Sequence, residues 1–203
     1  KMLEGKSVIR QLSEFATARG KEIGYENVFD YSLGNPSVPV PDAFNEEMIH
    51  LIQTKSSMEI HGYSPSLGIT SVREKIAESL NRRFDMEYKA AHIFPTSGAA
   101  GAIAHAVRCV TKPGDEVLTF APFFPEYNPY INMTGATLKV VPANTVDFQI
   151  NFDRLKEMLN EKTAAVLINT PNNPSGVVYS AATLQKLADL LLSLIHISEP
   201  TRP

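Results

Sequence analysis

Apolar residues recur at helical spacing in some stretches of the chain and condense into short β-favouring runs in others. Ser7 is placed to cap a helix with Val8, Leu12, Phe15 and Ala16 on one side, and Gly20 and Gly24 are expected to break it. Residues 28–33 read as a short strand ending in Gly34-Asn35-Pro36. Pro36, Pro39 and Pro41 then impose an extended connector, because each ring fixes φ and removes a backbone donor. Asp42 is placed as the N-cap of a helix with Phe44, Met48, Ile49, Leu51 and Ile52 on its apolar side. A turn-rich loop over residues 61–68 leads to a helix over 71–84, in which Val72, Ile76 and Leu80 face inward.

From residue 92 the rhythm changes. Residues 92–95 read as a strand, Gly98–Val110 as an Ala-rich helix, Glu116–Phe120 as a strand and 127–133 as a helix. Thr137–Val141 reads as a strand, Asp153 as the cap of a helix through Leu159, 164–168 as a strand, and Ser180 as the start of a last helix. Short strands alternating with helices predict an α/β domain with a largely parallel sheet.

The tail breaks this pattern. Residues 192–202 resemble the translation of a sequencing-library transposon adapter, so 192–203 are expected to be non-native. The chain also opens on Lys1 with a helical pattern close behind, and is read as a fragment.

Composition adds exclusions. With 43% hydrophobic and 20% charged residues in 203, the chain has the make-up of a globular domain. A net charge of -3 gives no electrostatic case for nucleic acid or an anionic membrane as partner. The lone cysteine, Cys109, excludes an internal disulfide framework and a Cys-cluster metal site. Its neighbours Ala106, Val107 and Val110 predict a buried structural thiol. No signal peptide or spanning segment is read, and a cytoplasmic location is the default.

Chemistry concentrates in loops that follow the expected strands. Thr96-Ser97-Gly98-Ala99-Ala100-Gly101 puts small residues and hydroxyls at a helix start, where free N–H groups favour a phosphate. The spacings of a P-loop and of a dinucleotide fingerprint are absent. Pro122-Phe123-Phe124-Pro125-Glu126-Tyr127 offers aromatic rings either to a flat ligand or to the core. Asn169-Thr170-Pro171-Asn172-Asn173-Pro174-Ser175-Gly176 offers the amide donors of Asn172 and Asn173 on a proline-stiffened loop. Converging at one crevice, these loops would suit a planar, phosphorylated ligand.

Over residues 7–191 the chain resembles the class I/II aminotransferases, pyridoxal-phosphate enzymes of fold type I. Residues 171–176 are similar to the family's N-P-[ST]-G signature, which implies that Asn173 binds the hydroxyl of the cofactor ring. The resemblance further implies that backbone at Gly98, Ala99 and Ala100 binds the phosphate and that Phe124 stacks on the ring. Tyr63, followed by Gly68 and Arg73, would reach the phosphate of a neighbouring subunit, and Gly34 would touch the substrate carboxylate. The implied layout is an N-terminal arm with part of a small domain (1–45), the first part of a large pyridoxal-phosphate-binding domain (46–191) with a partial, mostly parallel sheet and flanking helices, and the adapter-like tail.

The family's chemistry needs three more residues: a Schiff-base lysine, an aspartate at the pyridine nitrogen and an arginine for the substrate carboxylate. In relatives these lie beyond the Asn-Pro-[ST]-Gly motif, so no catalytic residue is assigned, and Lys162 and Lys186 read as solvated helix residues. The parent is expected to be a homodimeric amino-acid aminotransferase, acting on aspartate or a similar amino acid with a 2-oxo acid as acceptor. The fragment alone is expected to be inactive. A C–S lyase or decarboxylase of the same fold, or a pyridoxal-phosphate-binding transcriptional regulator, would carry the same loops.

Overall fold

The structure, a computed structural model, describes residues 8–32, 34, 38–144 and 146–198. Ser7, Leu33, Asn35, Pro36 and residues 199–203 of the tail lie outside the described residues. The chain divides into two compact units, Lys1–Ser64 and Pro65–Pro203.

The first unit holds α1 (Val8–Ile23), a 3-10 turn (Tyr25–Asn27), α2 (Asp42–Thr54) and α3 (Ser57–His61). Helix α1 runs through Gly20, which packs against the ring of Tyr25 with no room for a side chain, and ends at Gly24 with φ of 89°. Asp42 is the first residue of α2 and not its cap, which is Pro41. Its carboxylate still meets the positive end of the helix. Helix α3 was not read from the sequence, although its signal is there. The Ser56 hydroxyl accepts the Glu59 amide at 3.3 Å, and the Glu59 carboxylate accepts the Ser56 amide at 3.0 Å, a capping box. The Ser56 N–H and hydroxyl, both donating to the Glu59 carboxylate, and the nearby Lys55 charge hold the Glu59 carboxyl below its ordinary pKa. The expected strand over 28–33 does not form, since a strand needs a ladder and no described residue pairs with this segment. Gly20 is the one buried position among the unit's described residues, and Phe15, Phe29 and Tyr31 are exposed.

The second unit opens with α4 (Thr70–Phe84) and a 3-10 turn (Ala90–His92), where residues 92–95 were expected as a strand and pair with no described strand. Then come α5 (Gly98–Val110), β1 (Glu116–Phe120), α6 (Tyr127–Asn132), β2 (Thr137–Val141), α7 (Phe152–Met158), β3 (Thr163–Leu167) and α8 (Ala181–Ser198). Asn151, and not Asp153, caps α7, its Oδ1 accepting the Arg154 amide at 3.1 Å. The Ser180 hydroxyl accepts the Thr183 amide at 3.1 Å at the start of α8.

The strands form a parallel sheet in the order β2-β1-β3. Alternation sends β1 side chains to opposite faces. Leu118 and Phe120 join Val141, Ile150, Leu155, Tyr179 and Leu187 on the face covered by α7 and α8. Val117 joins Val107, Tyr127, Ile131 and Ala136 on the face covered by α5 and α6. Leu190 and Leu191 pack against the first cluster and Leu192 is exposed, yet helical geometry continues across the expected tail boundary to Ser198. Cys109 is exposed, contrary to the expected burial. At 100° per residue it stands about 200° around α5 from Val107, which faces the sheet.

Central β1 is followed by β2 on one side, and the chain then crosses to place β3 on the other. Crossovers of one hand must therefore use opposite faces, α6 on one and α7 on the other. Between adjacent β1 and β3 the direction of the crossovers reverses, which is the topological switch point where open α/β sheets take their ligands at the carboxyl ends of the strands.

Candidate functional site

The ends of β1 and β3 are locked together at this switch point. Thr119 pairs with Leu167, and its buried hydroxyl donates to the Leu167 carbonyl at 3.0 Å. Above this lock the chain turns out at Ala121–Pro122 after β1 and at Thr170–Pro171 and Asn173–Pro174 after β3, all three being cis peptide bonds.

The β1 loop presents a cluster of rings. Phe123 lies nearly parallel to Tyr127, with centroids 6.4 Å apart, and Phe124 meets Tyr127 edge-on at 5.7 Å. Phe124 is half-buried, so its ring is propped by Tyr127 and still reachable. Burial raises the Tyr127 pKa.

Helix α5 comes to the same end of the sheet. It reaches β1 through the short link 111–115, so it runs antiparallel to the strand. Its 13 residues span roughly 20 Å, about the length of the strand layer. Ser97 gives no side-chain cap. The Thr96 hydroxyl, expected to face a ligand, instead donates to the Gly98 carbonyl at 2.9 Å, and the Gly98 N–H donates to the Thr96 carbonyl at 2.9 Å. Gly98 has φ of 73°, and a Cβ built there meets nothing within 4 Å. Gly98, Ala99 and Ala100 are all exposed. The helix thus starts with a wrapped turn, open space and a positive end without a side-chain cap.

The β3 loop is fastened by its own asparagines. Asn169 Oδ1 accepts the Asn173 N–H at 2.7 Å. Asn172, expected as an amide donor to a ligand, instead uses Oδ1 to accept the Ser175 N–H at 3.1 Å and the Ser175 hydroxyl at 2.8 Å. The Gly176 N–H closes onto the Asn172 carbonyl at 2.7 Å, with Gly176 at φ of 72°. The Thr170 hydroxyl accepts the Tyr179 N–H at 3.0 Å, and the Tyr179 ring stands edge-on to Phe120 at 6.5 Å. Burial raises the Tyr179 pKa. The Asn173 side chain is exposed and makes no hydrogen bond among the described residues.

This donor set fits a planar phosphorylated ring such as pyridoxal phosphate. It pairs an uncapped helix start with small side chains, a propped aromatic face and a free amide on a stapled loop. Gly34 and Tyr63 belong to the first unit, where both are exposed, Tyr63 completely. Lys162 is exposed, and Lys186 places Nζ 4.2 Å from the centre of the Phe152 ring, a structural contact on α7. Two shallow apolar depressions of the surface, one along α4 and one beside α1, include no residue of the three loops. Among the described residues no cluster of His, Cys, Asp and Glu could hold a metal, and no helix is long and apolar enough to cross a membrane.

The family model described as aminotransferase class I and II matches residues 26–197. An aspartate aminotransferase of Thermotoga maritima is 33% identical over 193 residues, covering 90% of this chain and 50% of that protein. A probable aspartate/prephenate aminotransferase of Aquifex aeolicus is 33% identical over 176 residues, covering 85% of this chain and 44% of the relative. The crystal structure of an amino transferase from Eubacterium rectale superposes with a TM-score of 0.90 at 42% identity, covering 97% of this chain and 50% of that one. The chain belongs to the class I and II aminotransferases, with the fold type I architecture. It spans about half the length of the curated relatives it matches.

Proposed function

We propose that this chain forms the cofactor-binding half of a pyridoxal-phosphate-dependent amino-acid aminotransferase. The reading is supported by three features that the order of strands and helices puts beside one switch point: the uncapped start of α5, the ring cluster after β1 and the free Asn173 amide after β3. When bound, pyridoxal phosphate supplies the electron sink for amino-group transfer. The chain's own residues bind and orient it. The N–H groups of Ala99 and Ala100 would hold the phosphate beside Gly98, whose missing Cβ leaves room for it, Phe124 would cover one ring face, and the Asn173 amide would donate to the ring hydroxyl. Tyr63 serves the phosphate site of a partner subunit, and Gly34 the substrate carboxylate, within a cytoplasmic homodimer.

Aspartate or a similar amino acid is the donor in this reading and a 2-oxo acid the acceptor, as the names of the Thermotoga and Aquifex relatives suggest. In this reading the chain alone is inactive, because none of its residues is assigned as the Schiff-base lysine, the ring-nitrogen aspartate or the carboxylate arginine. Two experiments test the reading. Transfer from aspartate to 2-oxoglutarate by the protein from the full native coding sequence, with a new amino acid as product, supports it; no such transfer, together with pyruvate and ammonia released from a cysteine-type substrate that carries a β leaving group, would refute it. The chain itself, treated with pyridoxal phosphate and borohydride, is expected to form no stoichiometric single-site adduct and to show no turnover. Both together would refute the assigned inactivity.

A further inference from the structure

The Asn173 backbone lies within a fastened turn, while its side chain is exposed and makes no hydrogen bond among the described residues. The Asn172–Ser175 staple, the Gly176 closure and the Asn172 N–H donating to the Val177 carbonyl at 2.9 Å fix the turn around it. The Asn173 N–H itself is taken by Oδ1 of half-buried Asn169, two residues beyond the end of β3, at 2.7 Å. Thr119 in turn ties the Leu167 carbonyl to β1 at 3.0 Å. A chain of contacts therefore runs from the central strand to the peptide that carries the free amide.

We infer that Asn169 is a positioning residue, which sets the main chain of Asn173 so that its amide points at the hydroxyl of a bound pyridoxal-phosphate ring. The inference rests on the proposed function and deepens it. Asn169 does not touch the ligand. It removes the freedom of the Asn173 peptide, leaving side-chain torsions alone to be ordered on binding.

The probe is pyridoxine 5′-phosphate, which keeps the ring, hydroxyl and phosphate but cannot condense with surface lysines, compared with its 3-deoxy analogue. Asn169→Leu is expected to weaken pyridoxine 5′-phosphate about three- to tenfold, the worth of one well-aimed hydrogen bond, and to leave the 3-deoxy analogue unchanged. Asn169→Asp, which keeps the acceptor, restores the preference. In an Asn173→Ala background Asn169→Leu adds no further loss, and without ligand it speeds hydrogen exchange of the Asn173 amide while Asn169→Asp does not. An unchanged preference in Asn169→Leu, or the same added loss in the Asn173→Ala background, would overturn the inference and leave the function standing. Failure of the unmodified chain to bind pyridoxine 5′-phosphate at all would overturn both.

Discussion

Gly98 and Gly114 make a matched pair for separating a binding role from a folding role. Both have positive φ, 73° and 92°, and a Cβ built at either meets nothing within 4 Å. Alanine at either position therefore clashes with no atom of the chain, and the cost is left-handed backbone strain. That strain is about 1–2 kcal/mol, partly offset by the lower entropy of the unfolded chain. For a chain of this length a net loss of about 1 kcal/mol lowers the melting midpoint by roughly 2–4 °C. The positions differ in where the methyl goes. Gly98 opens α5 at the switch-point end of the sheet, whereas Gly114 sits in the link between α5 and β1 at the opposite end. Gly98→Ala places its methyl in the space assigned to a phosphate, and affinity for pyridoxine 5′-phosphate is expected to fall by tenfold or more, about 1.4 kcal/mol. Gly114→Ala should melt like Gly98→Ala and bind like the unmodified chain. Thermal unfolding and equilibrium dialysis at low micromolar concentration measure the two quantities. Equal loss of binding in both variants, or none in either, would refute a phosphate cup at α5.

Leu118 is fully buried at the centre of β1, and Leu118→Ala is expected to cost about 2–5 kcal/mol in urea unfolding; a loss under about 1 kcal/mol would show that the sheet is not the core. Burial raises the pKa of Tyr127 and Tyr179 above the ordinary value of 10.0, so the folded state holds these protons longer than the unfolded chain. Their contribution is complete below about pH 10 and is lost as pH rises through the folded values, and Tyr179→Phe should flatten the alkaline limb of the stability curve. Exposed Cys109 should react with a thiol reagent in the folded chain at a rate little changed by denaturant, whereas a thiol released only on unfolding would contradict its placement.

The sequence was most informative where an element carries its own signal. Helix Gly98–Val110 and strands Glu116–Phe120 and Thr137–Val141 have the expected bounds, because apolar period and turn residues agree there. It misled where formation depends on a partner. Residues 28–33 and 92–95 have strand-like composition, but a strand exists only against a neighbour, and no described strand pairs with them. Caps shifted by one or two residues: Asn151 outcompetes Asp153 by reaching the Arg154 amide, and Asp42 is already in the helix. The apolar sequence neighbours of Cys109 point to burial, but angular position around α5 decides exposure and leaves it on the surface. Asn172 and Asn169 were legible as polar residues on a ligand loop, but not as its internal fasteners. That role depends on a turn bringing Asn172 Oδ1 to Ser175 and Asn169 Oδ1 to the Asn173 amide, which spacing alone did not reveal.

Hydrogen exchange with mass spectrometry, read with and without pyridoxine 5′-phosphate, tests the switch-point site most directly. Saturable protection of the start of α5 at Ala99 and Ala100, of the loop at Phe124 and of the loop at Asn173, with none along α1 or α4, is the predicted result. Absence of saturable protection at these three loops, or protection confined to α1 or α4, would contradict a cofactor site at the carboxyl ends of β1 and β3.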